Sequence, residues 1–222
     1  MHQWNWAPKF NGNGLPDWAV EAYASQDEAK AGFWKNASSK QRFAEMWRRV
    51  AERYKDEPTV AAYDLFNEGN VDYARIPAEE FKDLLYGFYE DTIKAIRSVD
   101  ERHIVVYMPP WGNDMSVVRR IDASNVVFST HLYTGGTWDG TTGYTVDKAE
   151  LERDMLRGYR QAVEEWNIPL WIGEFGVGSA AYRAQEWASD MLSLIDKYML
   201  GSAWWSYWRD DSSFGLLYEN GS

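Results

Sequence analysis

The chain has 222 residues, 45% of them hydrophobic and 26% charged, a balance that buries a core and excludes intrinsic disorder. No apolar run approaches the roughly 18 residues of a membrane span, and Met1-His2-Gln3-Trp4-Asn5-Trp6 is not a basic-then-apolar signal peptide. Twenty-three basic against 34 acidic residues give a net charge of -11, which repels phosphate backbones, and zero cysteines exclude disulfides and thiol catalysis.

Residues 38–54 read as a helix. Ser38 and Gln41 have capping-box spacing, and Phe43, Met46, Trp47, Val50 and Tyr54 recur on one face. After Pro58, residues 60–66 read as a mostly buried strand ending in the polar cluster Asn67-Glu68-Gly69-Asn70. Pro77 stands where a first helical residue belongs, with Glu79 and Glu80 in the first turn. Phe81, Leu84, Leu85, Phe88, Ile96 and Val99 mark the buried face of that helix. Residues 103–108 form the next expected strand, closed by Pro109-Pro110-Trp111-Gly112, and a short helix is expected around 115–121. A third strand over 126–130 ends in His131-Leu132-Tyr133.

Residues 134–145 are rich in Gly and Thr and read as a long functional loop, since loops of that length within a domain rarely serve as mere connections. A helix over 147–166 follows, with Leu151, Met155, Tyr159, Ala162 and Val163 inward. Leu170-Trp171-Ile172 is a strand ending in Gly173-Glu174-Phe175-Gly176. A helix over 181–200 is expected to stop at Gly201, and 202–207 is the last strand. Five strands alternating with helices imply an α/β fold with a parallel sheet, here as one domain over 1–222.

Asn67, Glu68, His131, Tyr133, Glu174 and Trp205 all fall at or just past the carboxyl end of an expected strand. In a β/α barrel those ends converge on the face that carries the active site. Two carboxylic acids meeting there suit glycoside hydrolysis, one protonating the leaving oxygen while the other attacks or activates water. A single glutamate at such a place is more often a solvated or ion-paired carboxylate. Two, each after a buried strand and flanked by glycine and aromatics, favour chemistry. Aromatics make up 16% of the chain, with 13 Trp, 14 Tyr and 9 Phe. A Trp-heavy interior accounts for many; the rest suit a surface that stacks on sugar rings.

Asp64-Leu65-Phe66-Asn67-Glu68 resembles the Asn-Glu strand end of retaining clan A glycosidases, and Ile172-Gly173-Glu174-Phe175-Gly176 resembles their nucleophile strand. His131-Leu132-Tyr133 resembles the His-x-Tyr between them, and Ser202-Ala203-Trp204-Trp205-Ser206 the Trp-Ser end of the last strand. Together, in this order, they resemble glycoside hydrolase family 5, the cellulase and mannanase family. The resemblance implies Glu68 as acid/base, Glu174 as nucleophile, Asn67 on the sugar 2-hydroxyl, Tyr133 orienting the nucleophile, His131 lining the cleft and Trp205 as a stacking platform. It places His2 in the site as well. Trp4, Trp6, Trp111 and Trp138 are candidate sugar platforms or ordinary loop aromatics. Trp204 and His103 read as structural. No cofactor or metal is implied.

The resemblance departs in three places. The chain corresponds to a partial (β/α)8 barrel lacking about the first two and a half βα units and the last helix. It lacks the second-strand arginine of the family, for which Arg75 or Arg209 could substitute. It also has Asn67-Glu68-Gly69 where most members have Asn-Glu-Pro. A fragment of a longer gene, a natural minimal form and a poorly folding chain all fit. The favoured expectation is a homodimer in which each protomer covers the other's open side. The expected activity is endo-β-1,4-glucanase on a β-linked polysaccharide, with mannanase or another β-glycanase, or an inactive carbohydrate-binding remnant, as alternatives. Neither nucleic acid nor membrane is an expected partner, and a polymer-degrading enzyme would be secreted.

Overall fold

Ser25-Gln26-Asp27-Glu28 starts the first helix, α1 (Gln26–Lys35). The Ser25 hydroxyl accepts the Glu28 N–H at 3.3 Å, and the Glu28 carboxylate accepts the Ala24 N–H at 3.0 Å. This reciprocal cap satisfies donors that the first turn leaves unpaired. The computed structural model describes residues 7–12, 14, 17–207 and 214–216. The expectations for His2, Trp4, Trp6 and Arg209 lie outside the described residues.

The chain forms two compact units, Met1–Val127 and Phe128–Ser222. In the first, α1 ends at Asn36, whose side chain accepts the Ser39 N–H at 3.1 Å and so caps the next helix, α2 (Ala37–Tyr54). The capping box expected at Ser38 and Gln41 is therefore displaced: Asn36 holds the cap and Ser38 is already helical. Strand β1 (Ala62–Asp64) leads through α3 (Ala78–Arg97) to β2 (Ile104–Tyr107). The two strands are parallel, with Tyr63 opposite Val105. Pro77 precedes the first helical residue of α3, Glu79 and Glu80 occupy its first turn, and Lys94 and Arg97 its last, all favourable to the helix dipole.

The core of this unit is aromatic. Trp34 meets Phe33 and Phe81 edge-on at 5.1 Å, and Phe43 lies 4.7 Å from Phe88. Phe66, Phe81, Tyr86 and Tyr89 are fully buried beside them. A large part of the unusual aromatic content is thus interior packing.

The helix expected around 115–121 does not form. Val117 and Ile121 are buried, as the pattern required, but the segment runs without helical turns. The Val117 carbonyl, which a helix would need, accepts the Tyr86 hydroxyl, and Arg119 is drawn to Glu90 at 3.1 Å. Seven residues also gain too few internal hydrogen bonds to offset helix nucleation.

β3 (Val126–Leu132), which the unit boundary divides, is followed in the second unit by α4 (Lys148–Tyr159), β4 (Leu170–Phe175), α5 (Ala184–Lys197) and β5 (Gly201–Trp204). β3 pairs with β4 and β4 with β5, both in parallel. The Asp147 carboxylate caps α4 by accepting the Glu150 N–H at 2.9 Å. The helix expected to run on to Trp166 passes at Arg160 into a π-helical turn, Arg160–Glu165. α5 starts three residues later than expected because Arg183 is left-handed (φ 53°). It stops before Gly201, the left-handed turn being supplied by Met199 (φ 51°) and the glycine opening β5. Trp187 and Trp204 pack at 6.2 Å beneath Phe175, so Trp204 is structural as expected.

Candidate functional site

In the first unit, β1 delivers the chain through buried Leu65 and Phe66 to half-buried Asn67 and Glu68. Glu68 has φ 48°, a conformation unusual for a residue with a Cβ and more frequent where function fixes a side chain. Three contacts fix the turn: the Glu68 N–H points at Met108 Sδ (3.1 Å), the buried Asn70 amide donates to the Glu68 carbonyl (3.1 Å), and the Trp34 indole donates to the Asn70 carbonyl (3.0 Å). A Cβ on Gly69 would stand 2.9 Å from Leu85 Cδ1, so a larger residue there requires the Leu85 side chain to shift. The Asn67 side-chain nitrogen is buried and donates to nothing among the described residues.

Trp111, at the end of β2, is 41% exposed and left-handed (φ 56°), and its N–H donates to the Gly69 carbonyl at 3.3 Å. Below its ring, 5.6 Å from the centroid, is the ammonium of Lys30, a residue only 6% exposed. Burial pushes the Lys30 ammonium below the ordinary lysine range, against a smaller pull upward from Asp27. The sequence reading missed α1 and with it this lysine. The Ser-x-x-Glu spacing at 25–28 was the available signal, obscured because buried Lys30 interrupts an otherwise apolar stripe. Arg75 pairs with Asp72 at 3.9 Å. His103 is structural, its Nδ1 lying 2.6 Å from Asp100 Oδ2 at the start of β2.

In the second unit the strands place three of the expected residues together. β3 and β4 run in step as far as Thr130 opposite Ile172, and then His131 stands opposite Glu174. Gly173 is the extra residue, a bulge of the kind that re-aims side chains next to active sites. A Cβ on Gly173 would stand 2.4 Å from Ser129 Oγ and 3.1 Å from His131 Nε2, so only glycine fits. The bulge sets Glu174 Oε2 2.9 Å from the Tyr133 hydroxyl, which donates to it, and 3.5 Å from His131 Nδ1. His131 and Glu174 are both buried. Trp205, half-buried, donates its backbone N–H to the Phe175 carbonyl at 2.9 Å, and its carbonyl crowds Gly176 so closely that a Cβ there would stand 2.2 Å away. The last strand is thereby fixed to the strand of Glu174. Trp138 stands 70% exposed in the 134–145 loop.

The sequence profile described as Cellulase (glycosyl hydrolase family 5) matches residues 13–211 of the chain. The chain belongs to glycosyl hydrolase family 5. Curated relatives include endoglucanase C of Acetivibrio thermocellus, 23% identical over 254 residues, an alignment taking in 93% of this chain and 71% of that protein. Among solved structures, endo-glycoceramidase II from Rhodococcus sp. superposes with a TM-score of 0.81 at 22% identity, over all of this chain and 58% of its own. A hyperthermophilic endo-β-1,4-glucanase superposes with a TM-score of 0.69 at 19% identity, over 86% of this chain and 65% of its own. The chain thus spans little more than half the length of the endo-glycoceramidase. These likenesses establish the fold as part of a (β/α)8 barrel, as the strand–helix alternation implied. Among the described residues no helix is long and apolar enough to cross a membrane.

Proposed function

We propose that this family 5 chain is a retaining endo-β-1,4-glucanase in which Glu174 is the nucleophile and Glu68 the acid/base. The observation that carries the reading is the setting of Glu174, fixed on the β4 bulge with Tyr133 hydrogen-bonded to one carboxylate oxygen and His131 beside it. A nucleophile must be held in a near-attack position, and the Tyr133 hydroxyl restrains the Glu174 carboxylate.

In the first step a Glu174 oxygen attacks the anomeric carbon. The glycosidic bond breaks, its oxygen takes the proton of the Glu68 carboxyl group, and a glycosyl-enzyme ester forms. In the second, Glu68, now a carboxylate, removes a proton from water, whose oxygen attacks the same carbon and frees Glu174. Both steps require the two carboxyl groups about 5–5.5 Å apart. The buried Asn67 amide, with a donor to spare, suits the sugar 2-hydroxyl. Half-buried Trp205 suits a stacking role on the glycone side, and Trp111 one on the leaving-group side, next to the turn that presents Glu68.

Glucan is favoured as substrate by the endoglucanases among the relatives, and a polymer of that kind is met outside the cell. Self-association is proposed as well, since among the described residues β1 pairs only with β2 and β5 only with β4. The decisive experiment is reducing-sugar release from carboxymethylcellulose, glucomannan, xylan and xyloglucan by the wild type and by Glu174→Gln. Release from carboxymethylcellulose that falls at least a thousandfold in the variant is expected. Faster release from glucomannan would move the assignment to mannanase, and no release from any polymer by folded protein would leave a carbohydrate-binding remnant.

A further inference from the structure

One buried polar side chain in the first unit is only half satisfied. Asn70, two residues past Glu68, is 3% exposed. Its amide nitrogen donates to the Glu68 carbonyl at 3.1 Å, but its side-chain oxygen is buried and accepts no hydrogen bond among the described residues. A buried amide with an unpaired oxygen lowers stability, and an apolar side chain of similar size avoids that loss. What the amide does is tie back the carbonyl of Glu68, whose φ is 48°. That conformation is disfavoured for a residue with a Cβ and persists only where neighbouring contacts hold it.

Trp34 grips the same turn from α1. Its indole N–H donates to the Asn70 carbonyl at 3.0 Å, after Glu68 in the chain. Its ring meets Phe66, before Glu68, edge-on at 5.7 Å, and its Cη2 lies 3.5 Å from where a Gly69 Cβ would stand. One side chain thus touches the backbone course on both sides of Glu68. Phe33, Phe81 and Phe88 surround the indole at 5.1, 5.1 and 5.5 Å, and the ring is fully buried. Packing alone asks only that an indole be buried; the aim of its N–H is a second requirement. The Glu68 N–H points at Met108 Sδ, a weak acceptor, so the tie to the Glu68 carbonyl is the stronger of the two.

We propose that Asn70 and Trp34 are positioning residues for proton transfer by Glu68. The indole fixes the Asn70 carbonyl, the Asn70 amide fixes the Glu68 carbonyl, and together they hold Glu68 in the left-handed conformation from which its carboxyl group serves the leaving group. The inference rests on the reading of Glu68 as acid/base and names the residues that give that group its place. Both act through the Glu68 backbone. The consequence is selective. A glycosidic oxygen that leaves as a poorly acidic alcohol or phenol takes the Glu68 proton as the bond breaks, whereas 2,4-dinitrophenolate leaves without one. In the second step Glu68 removes a proton from water. Azide has no proton to give up: it attacks the anomeric carbon of the glycosyl-enzyme, forms a glycosyl azide and frees the Glu174 carboxylate. A misplaced Glu68 therefore slows the steps that move a proton and spares those that do not. A general loosening of the fold slows all of them alike.

The test uses the full chain carrying Asn70→Leu, which fills similar space without an amide, or Trp34→Phe, which loses the indole N–H. Rates are measured on phenyl β-cellobioside and 2,4-dinitrophenyl β-cellobioside, with Tm beside them. Asn70→Leu should hold Tm near the wild-type value, since the unpaired oxygen goes together with the lost hydrogen bond. In both variants kcat/KM on the phenyl glycoside should fall about ten- to a hundredfold, part of the roughly hundred- to ten-thousandfold that a placed general acid supplies, and less than about threefold on the dinitrophenyl glycoside. Azide should raise kcat of the variants on the dinitrophenyl glycoside and leave that of the wild type unchanged. Should Trp34→Phe lower Tm steeply, Asn70→Leu decides alone. Equal losses on the two glycosides, or unchanged rates on both, overturn the proposal and leave the glycosidase reading standing. A folded wild type that hydrolyses neither glycoside nor any polymer sinks that reading, and the positioning role with it.

Discussion

At Gly173 the β4 backbone carries one residue more than the stretch of β3 beside it, and the side chain that follows is the glutamate expected to attack the sugar. The absence of a Cβ lets Ser129 and His131 close on the backbone, and that closeness fixes Glu174 under Tyr133. Gly173→Ala should therefore cost about 1–3 kcal/mol of stability, as overpacking of a filled site does, and lower activity more than the stability loss explains. A Tm measurement beside a rate at a temperature where both proteins are fully folded separates the two effects. Tyr133→Phe removes one hydrogen bond to a carboxylate and little volume. If the bond positions the nucleophile, kcat should fall about ten- to a hundredfold, from roughly 1.5–3 kcal/mol, with KM and Tm nearly unchanged. A KM that rises while kcat holds would put Tyr133 in sugar binding instead. At this scale short motifs at the expected strand ends single out Asn67, Glu68, His131, Tyr133 and Glu174, and the structure brings Tyr133 and His131 beside Glu174. The bulge was not legible, because nothing in Ile172-Gly173-Glu174 distinguishes a strand glycine from an inserted one.

Among the elements, long periodic segments were legible and local competition was not. α2 and α3 were expected from their apolar spacing and stand where expected to within a few residues, and α4 starts where expected but passes into a π-helical turn at Arg160. The segment 115–121 carried the same spacing, but Tyr86 and Glu90 on α3 claim its carbonyl and its cation. α1 went unread although it supplies Trp34 and Lys30 to the turn around Glu68 and to Trp111. The connection between α3 and β2 carries a further dependence. Asp100 is buried there, which by itself pushes its carboxyl up. The N–H groups of Arg102 and His103, the Tyr63 hydroxyl and the His103 ring outweigh that and bring it down to about 2. An unfolded aspartate titrates near 3.9, so between about pH 4 and 2 the unfolded chain binds more protons than the folded one. The stabilisation is complete above that window and lost as pH falls through it. Asp100→Asn should lower Tm by several degrees at pH 6, with the gap to wild type narrowing steadily below pH 4. A gap that stays constant down to pH 2 would mean the carboxylate charge contributes nothing.

Over the whole molecule, the family and the fold class followed from the sequence, because four strand ends with their motifs come in one order along the chain. The composition was ambiguous where it stood alone: the aromatic excess fits both a Trp-heavy interior and a sugar-binding surface. The structure buries Trp34, Trp187, Phe66 and Phe88 and leaves Trp111, Trp138 and Tyr182 exposed. Self-association is a property of this scale too. Light scattering should give twice the chain's mass if edge strands are covered by a second copy, and the monomer mass would discard the dimer. What the sequence determined by itself was the alternation of elements and the chemical types at strand ends, since periodicity and short motifs are local properties of the chain. Which aromatics remain in solvent, where β4 bulges, and how Tyr133 and His131 meet Glu174 were decided only by the tertiary structure. Those outcomes depend on contacts between residues distant in sequence, where a carbonyl, a cation or the space for one Cβ is claimed by another element.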